Sequence, residues 1–344
     1  MQAAVLTGPG TLVMRELEKP SCGETDILIK VKACGICGSD VRNYHAGLRG
    51  NVEEQIMGHE IAGIVEEVGR AWSDSFYVGQ RLAIAPDVSC GTCYYCLRGL
   101  VNLCAAHRMI GTHWPGGFAE YIQLNETILA RGMVHPIPEG VGFDEATLAE
   151  PAASVLASQH DANIGLGDTV VVIGDGPIGC LHLEVARARG ASKVIMVGLD
   201  RLAFAERFEP DHLIDAASQD PVSEVMRITN GFGADAAIAA NPVAETQAQG
   251  VEMVRKRGQV ILFGGLPKQK PMTTINSNLI HYNELIIRGS FSYPAAMHKL
   301  GLELIATGKI RAAKYITKTV SLAEIPQAIA DLKEGRALKI VVHP

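Results

Sequence analysis

The 344-residue chain has no apolar stretch approaching the roughly twenty residues of a membrane span, so no transmembrane helix is expected. It has no basic excess. Thirty-one Lys and Arg stand against 37 Asp and Glu, a net charge of −6. That argues against nucleic-acid and anionic-membrane partners, which select basic patches. The opening MQAAVLTGPGTLVMREL lacks a basic start followed by a long apolar run, so no signal peptide is expected. Internal repeats and low-complexity segments are also missing. What remains is ordinary for a soluble globular protein: 47% hydrophobic and 20% charged residues. The length exceeds one comfortable core and predicts two domains. Eight cysteines without a secretory signal predict a reducing compartment, the cytoplasm, with metal-bound or free thiols.

Four of those cysteines, Cys90, Cys93, Cys96 and Cys104, fall in CGTCYYCLRGLVNLC with gaps of two, two and seven residues. Four thiolates this close can surround one tetrahedral Zn²⁺ and leave no position open, which describes a structural site. Disulfides or buried apolar cysteines are the alternative. The repeated two-residue gap fits metal better, because neighbouring bridges would be cramped.

Residues 1–150 are rich in glycine, proline and short β-branched runs. ILIKVKACGIC, EIAGIVEEVG and GQRLAIAP read as strands of a compact β domain. The pattern changes near Glu150. PAASVLASQHDANI has helical spacing with a proline suited to a first turn. DTVVVIG, KVIMVG, HLIDA, ADAAIAA, GQVILFGG and ELIIRGSF then read as strands, several separated by helical stretches. That alternation predicts an α/β domain with a parallel sheet covered on both faces. After about Tyr293 the chain returns to two helical segments and ends in the strand KIVVHP, which could extend either domain.

Gly174-Asp175-Gly176-Pro177-Ile178-Gly179 is a Gly-x-Gly-x-x-Gly run directly after a predicted strand and opening a predicted helix. In that context the first glycine permits a tight turn, the second admits a pyrophosphate and the third lets helix and sheet pack closely. A glycine-rich turn without ligand is the alternative. An acidic residue about twenty positions on ordinarily meets the ribose hydroxyls. Asp200 lies 21 residues after Gly179, but two beyond Gly198, where the strand should end. Asp200 would favour NAD, Arg201 could meet a 2′-phosphate, and a solvated turn carboxylate is the bland reading. NAD is expected, with NADP open.

Cys37 lies 22 residues before His59, which is followed by Glu60. All three types ligate zinc, and a catalytic zinc keeps one position for water or substrate. Taken singly, Cys37 could be a buried small hydrophobe, His59 a core histidine and Glu60 a surface charge. A cofactor domain in the same chain favours the metal reading of the set.

GICGSD, GHE, the four-cysteine segment, GGFAEY, Glu150-Pro151 and GDGPIG occur in the order of the zinc-containing medium-chain dehydrogenases, and the resemblance covers essentially the whole chain. Within that family the chain looks most like the sorbitol/threonine dehydrogenase branch, because Glu150 stands where alcohol dehydrogenases carry a cysteine ligand. The resemblance implies a GroES-like catalytic domain over 1–150 with both zinc sites, a Rossmann domain over 151–291, and a segment 292–344 that returns to the first. It implies two Zn²⁺ per chain, one structural and one catalytic. Cys37 and His59 would hold the catalytic ion, with Glu60 as a further or exchanging ligand and Glu150 as the third protein ligand. Ser39 would begin a proton path over the cofactor ribose, with His45 either its terminal base or a surface histidine. The implied activity is oxidation of a secondary alcohol, polyol or sugar to the ketone with hydride passing to NAD(P)⁺. Alternatives are threonine 3-dehydrogenase-like oxidation of a 3-hydroxy amino acid, a zinc-free quinone or enoyl reductase, and a non-catalytic nucleotide-binding protein of the same fold.

The resemblance says little of the substrate. Ser292 stands where sorbitol dehydrogenases carry a polyol-binding arginine, which weakens a sorbitol assignment. Phe118 could face the pocket mouth or pack, and His113-Trp114 could line the substrate cleft or cap a turn. A homodimer or homotetramer is expected, paired through an apolar sheet edge such as ELIIRGSF.

Overall fold

The computed structural model describes residues 1–48 and 52–344. They divide into two compact units, Met1–Ala153 with Tyr293–Pro344, and Ser154–Ser292.

The first unit is built on a seven-stranded sheet. Its path runs Met133–Pro136, Arg81–Ala85, Glu60–Val68, Ile27–Gly35, Lys339–His343 and Ile316–Ser321, with Tyr121–Leu124 also pairing on Ile27–Gly35. Ile27–Gly35 is the keystone. Its residues are buried at seven of nine positions, and it pairs antiparallel with Glu60–Val68 and with Lys339–His343. The register decides what meets at its end. Gly35 faces Glu60, and Val341 faces Gly35. Extending the second pairing by two residues puts Lys339 opposite Cys37. Three segments far apart in sequence therefore converge just past Gly35. Its apolar core gathers Ile27, Ile29, Ile61, Leu82, Ile84, Phe118, Ile325, Ile340 and Val342, all nearly inaccessible. Phe118 is part of that core, so the GGFAEY aromatic serves packing.

The second unit is a six-stranded parallel sheet in the order His212–Asp215, Lys193–Gly198, Thr169–Ile173, Ala234–Ala239, Val254–Leu262, Ile286–Gly289. Numbered in chain order within the sheet this reads 3-2-1-4-5-6, the dinucleotide-binding arrangement whose crevice lies where the order reverses. The central strands are buried almost without alternation, as a sheet covered on both faces requires. Ile286–Gly289 closes one edge with Ile286 half exposed.

The local signals explain these elements. The helix Pro177–Arg189 starts with Pro at its first position and stops at Gly190, whose left-handed conformation caps it. The helix Ala149–Asp161 begins two residues ahead of Pro151, which its first turn tolerates because the missing N–H has no partner there. Among the described residues no helix is long and apolar enough to cross a membrane.

Candidate active site and metal centres

Gly58 introduces the first cluster. Its φ is +88°, and a Cβ there would lie 2.6 Å from Phe118 Cδ1 and 2.8 Å from Cys34 Sγ. Only glycine turns the chain so tightly against that core, and the turn delivers His59 and Glu60 beside the end of Ile27–Gly35. From the other side comes Cys37, the N-cap of the helix Gly38–Ala46. Donor atoms of Cys37, His59 and Glu60 lie within 4.8 Å of one another. Thiolate, imidazole and carboxylate form a donor set suited to zinc.

Asp40 organises this cluster. It is almost fully buried. One carboxylate oxygen accepts the Cys37 backbone N–H at 2.9 Å, and the other lies 3.3 Å from His59 Nδ1. A proton on Nδ1 leaves Nε2 as the ligating nitrogen, and outer carboxylates of this kind orient metal-bound histidines. Burial pulls the His59 pKa down, but Asp40 and Cys37 outweigh it and hold it well above the ordinary value. Ser39 Oγ lies 3.3 Å from His59 Nε2.

Glu60 is completely buried, and Oε1 has no hydrogen-bond partner. Oε2 faces Lys339 Nζ, which also donates to Ile36 O at 3.1 Å. Burial opposes the charge on Lys339, yet Glu60 and Cys37 prevail and raise its pKa. An inaccessible carboxylate with an idle oxygen beside Cys37 and His59 is costly unless something binds it. The residues therefore fit a metal.

Glu150, in the first turn of Ala149–Asp161, accepts a hydrogen bond from Tyr293 Oη at 2.6 Å. Burial raises its carboxyl pKa to about 7, with His59 opposing and Glu60 adding to the shift. It therefore shares the electrostatic field of the Cys37 cluster. Tyr293 is 1% exposed and its own pKa is pushed well up by burial and by Glu150.

The four cysteines form the second cluster. Their Sγ atoms lie within 4.8 Å of one another, and none is in a disulfide. Cys93 and Cys96 are 3.5 Å apart, and Cys90 N donates to Cys104 Sγ at 3.2 Å. Bonds from Thr92 and Cys93 bring the Cys90 thiol down to about 6, whereas burial lifts Cys104 to about 11. Four convergent sulfurs, with no open ligand position, fit structural zinc.

In the second unit, the loop Gly174–Gly179 links Thr169–Ile173 to the helix Pro177–Arg189. Gly174 has φ +132°, a Cβ on Gly176 would meet only open space, and Gly179 lies against the Gly174 carbonyl. No side chain caps this helix at Gly176, so the backbone amides near Ile178 and Gly179 are left for an anion. The residues fit a pyrophosphate.

Other sequence-predicted residues lie apart. Asp200 is exposed, two residues past the strand end at Gly198. Arg201 occupies the N-cap position of the short helix Leu202–Glu206, with no capping bond from its side chain. His45 stands exposed in the last turn of Gly38–Ala46, edge-on to Tyr44, about 9 Å along the axis from Ser39 at 1.5 Å per residue. His113 accepts the Met109 N–H at 2.9 Å and closes a turn, with Trp114 beneath the Arg108 guanidinium. Sequence reasoning missed Asp40, Lys339, Tyr293 and Asp175. Asp40 alone had a local signal, an acid three residues after a helix N-cap.

Two family models match the chain: the alcohol dehydrogenase GroES-like domain over residues 23–139 and the zinc-binding dehydrogenase domain over 177–307. Sorbitol dehydrogenase of Bacillus subtilis is 34% identical over all of this chain and 97% of its own length. D-xylulose reductase A of Aspergillus oryzae is 31% identical over 92% of this chain and 89% of its own. A zinc-binding dehydrogenase of Sinorhizobium meliloti, solved with NADP bound, superposes with a TM-score of 0.90 at 32% identity, covering 100% of this chain and 99% of that one. The chain belongs to the zinc-containing medium-chain alcohol dehydrogenases, in their sorbitol-dehydrogenase-like branch. It is a zinc-dependent, NAD(P)-dependent oxidoreductase.

Proposed function

We propose that this enzyme oxidises a secondary alcohol group of a polyol or sugar to the ketone, and that Cys37, His59 and Glu150 hold its catalytic zinc with Glu60 as an exchanging ligand. The observation that carries the reading is the convergence of Cys37, His59 and Glu60, with the idle Glu60 oxygen beside them. Polyol and ketose names among the relatives support the substrate class. Ser292, at the position where the family resemblance places a polyol-binding arginine, weakens a sorbitol assignment.

The chemistry zinc supplies in such a site is Lewis-acid polarisation of a substrate oxygen. Asp40 keeps His59 in the ligating tautomer. Ser39 relays the substrate hydroxyl proton, accepting it at Oγ while releasing its own towards solvent, and His45 is the terminal base of that path. Glu150, held by Tyr293, presents its second oxygen to the site. Gly174, Gly176, Pro177, Ile178 and Gly179 shape the pyrophosphate seat. Cys90, Cys93, Cys96 and Cys104 hold the structural ion. We assign the catalytic domain to 1–150 with 292–344 and the nucleotide domain to 151–291. We further propose a cytoplasmic homodimer or homotetramer, supported by the half-exposed edge strand Ile286–Gly289, which light scattering tests.

The test is a panel of polyols, sugars and 3-hydroxy amino acids with NAD⁺ and NADP⁺, followed by nicotinamide absorbance. Polyol turnover abolished by chelation supports the proposal. Undiminished turnover in Cys37→Ala would refute the zinc mechanism and favour the quinone-reductase alternative.

A further inference from the structure

In a sheet of this order, the turn after the second strand reads the 2′ position of the adenosine ribose. An acid there accepts from the ribose hydroxyl, whereas free amides and basic side chains receive a 2′-phosphate. In this chain the second strand, Lys193–Gly198, ends in glycine. A Cβ on Gly198 would lie 2.8 Å from both Cβ and Oδ2 of Asp175, and 2.7 Å from Leu202 Cδ2. The place of a strand-end side chain is therefore filled by a residue of the glycine loop. Asp175 is 7% exposed. Its Oδ2 accepts the backbone N–H of Leu199 at 2.8 Å and of Arg201 at 2.6 Å. Asp200 points to solvent instead.

We propose that Asp175, not Asp200, is the specificity-determining carboxylate of the nucleotide site and that it selects NAD(H) over NADP(H). This rests on the dehydrogenase reading above. Two features act together. The Leu199 and Arg201 amides, which a 2′-phosphate would need, are both engaged by Asp175. The same carboxylate sets negative charge in the turn, against a group that itself carries nearly two negative charges. It has no easy retreat, because rotating away would strand two backbone donors. A ribose diol meets neither obstacle and can donate to the remaining Asp175 oxygen. The Arg201 side chain favours phosphate, but its main chain is pinned by the carboxylate that opposes it.

Direct binding of NAD⁺ and NADP⁺ to the purified enzyme, by calorimetry without substrate, tests this. Wild type is expected to bind NAD⁺ at least tenfold more tightly. Asp175→Ser, which removes the charge and releases both amides, is expected to narrow that ratio at least tenfold, chiefly through tighter NADP⁺ binding. Asp200→Asn is expected to leave the ratio within twofold. A wild-type preference for NADP⁺, or a ratio that collapses in Asp200→Asn, overturns the proposal. Should Asp175→Ser fail to fold, Asp175→Asn keeps an amide acceptor while losing the charge, and an unchanged ratio there overturns it equally. Binding of neither dinucleotide by folded wild type would overturn the dehydrogenase reading itself, whereas NADP⁺ preference overturns this inference alone.

Discussion

Replacing Tyr293 by Phe isolates one bond. The ring is buried and stays, so packing is kept, while the hydroxyl that donates to Glu150 at 2.6 Å is removed. A hydrogen bond to a charged group contributes about 1.5–3 kcal/mol net. At about 1.4 kcal/mol per tenfold, losing it should weaken zinc binding roughly 10- to 100-fold, the range typical of outer partners of metal ligands. The assay is competition with a chromophoric chelator. Cobalt substitution distinguishes the mixed Cys37 site from the four-thiolate site by its visible spectrum. In a Glu150→Gln background the same substitution should have little further effect, as a double-mutant cycle on one shared contact requires. If Tyr293→Phe left the affinity within twofold and the cobalt spectrum unchanged, Tyr293 would not position a ligand, and Glu150 would have to be removed from the proposed zinc shell.

Metal analysis should give two zinc ions per wild-type chain and one each in Cys37→Ser and Cys93→Ser; an unchanged count in either variant would break the corresponding half of the assignment. Lys339→Met leaves the buried Glu60 carboxylate without its cation, and breaking such a pair should cost about 3–5 kcal/mol in urea unfolding of the metal-free protein. Gly58→Ala forces a side chain into a left-handed turn against Phe118 and Cys34, and a loss below 1 kcal/mol by the same measurement would contradict the close approach. Burial and His135 lower His298 to about 3, so the unfolded chain takes up that proton first as pH falls. The stability this neutral histidine contributes is complete above about pH 6.5 and declines below it, by about 3 kcal/mol at pH 4.5. His298→Gln should flatten that acid limb, and parallel limbs in mutant and wild type would refute the burial argument.

What could be read from the sequence was what short spacing encodes. The four cysteines declare themselves within fifteen residues, and the glycine loop is bracketed by a strand and a helix whose own signals are local. The 3-2-1-4-5-6 order followed from alternation only as a class, because alternation does not say which strands are neighbours. The residues that finish the site were hidden for the same reason. Tyr293 reaches Glu150 across 143 positions, and Lys339 reaches Ile36 across 303. Neither separation leaves a periodic trace, and a lone lysine in a terminal strand looks like a solvated edge charge. Asp175 was concealed differently: it occupies a variable position of its motif, and its meaning comes from the missing side chain at Gly198.

The pairing of Ile27–Gly35 with Lys339–His343 also sets a timetable. At about 5–20 residues per second of synthesis, the 303 positions between Ile36 and Lys339 occupy the ribosome for about 15–60 s. Throughout that interval the Gly35 end of the keystone strand lacks its partner on the edge where Tyr121–Leu124 covers Ile27–Lys30, and Glu60 lacks its cation. A nascent chain could gather Cys37 and His59 early, but until the last strand emerges the carboxylate beside them must stay hydrated, take a proton or capture metal. Slow translation or zinc starvation should therefore expose the same weak point, an unsealed β edge in the first unit.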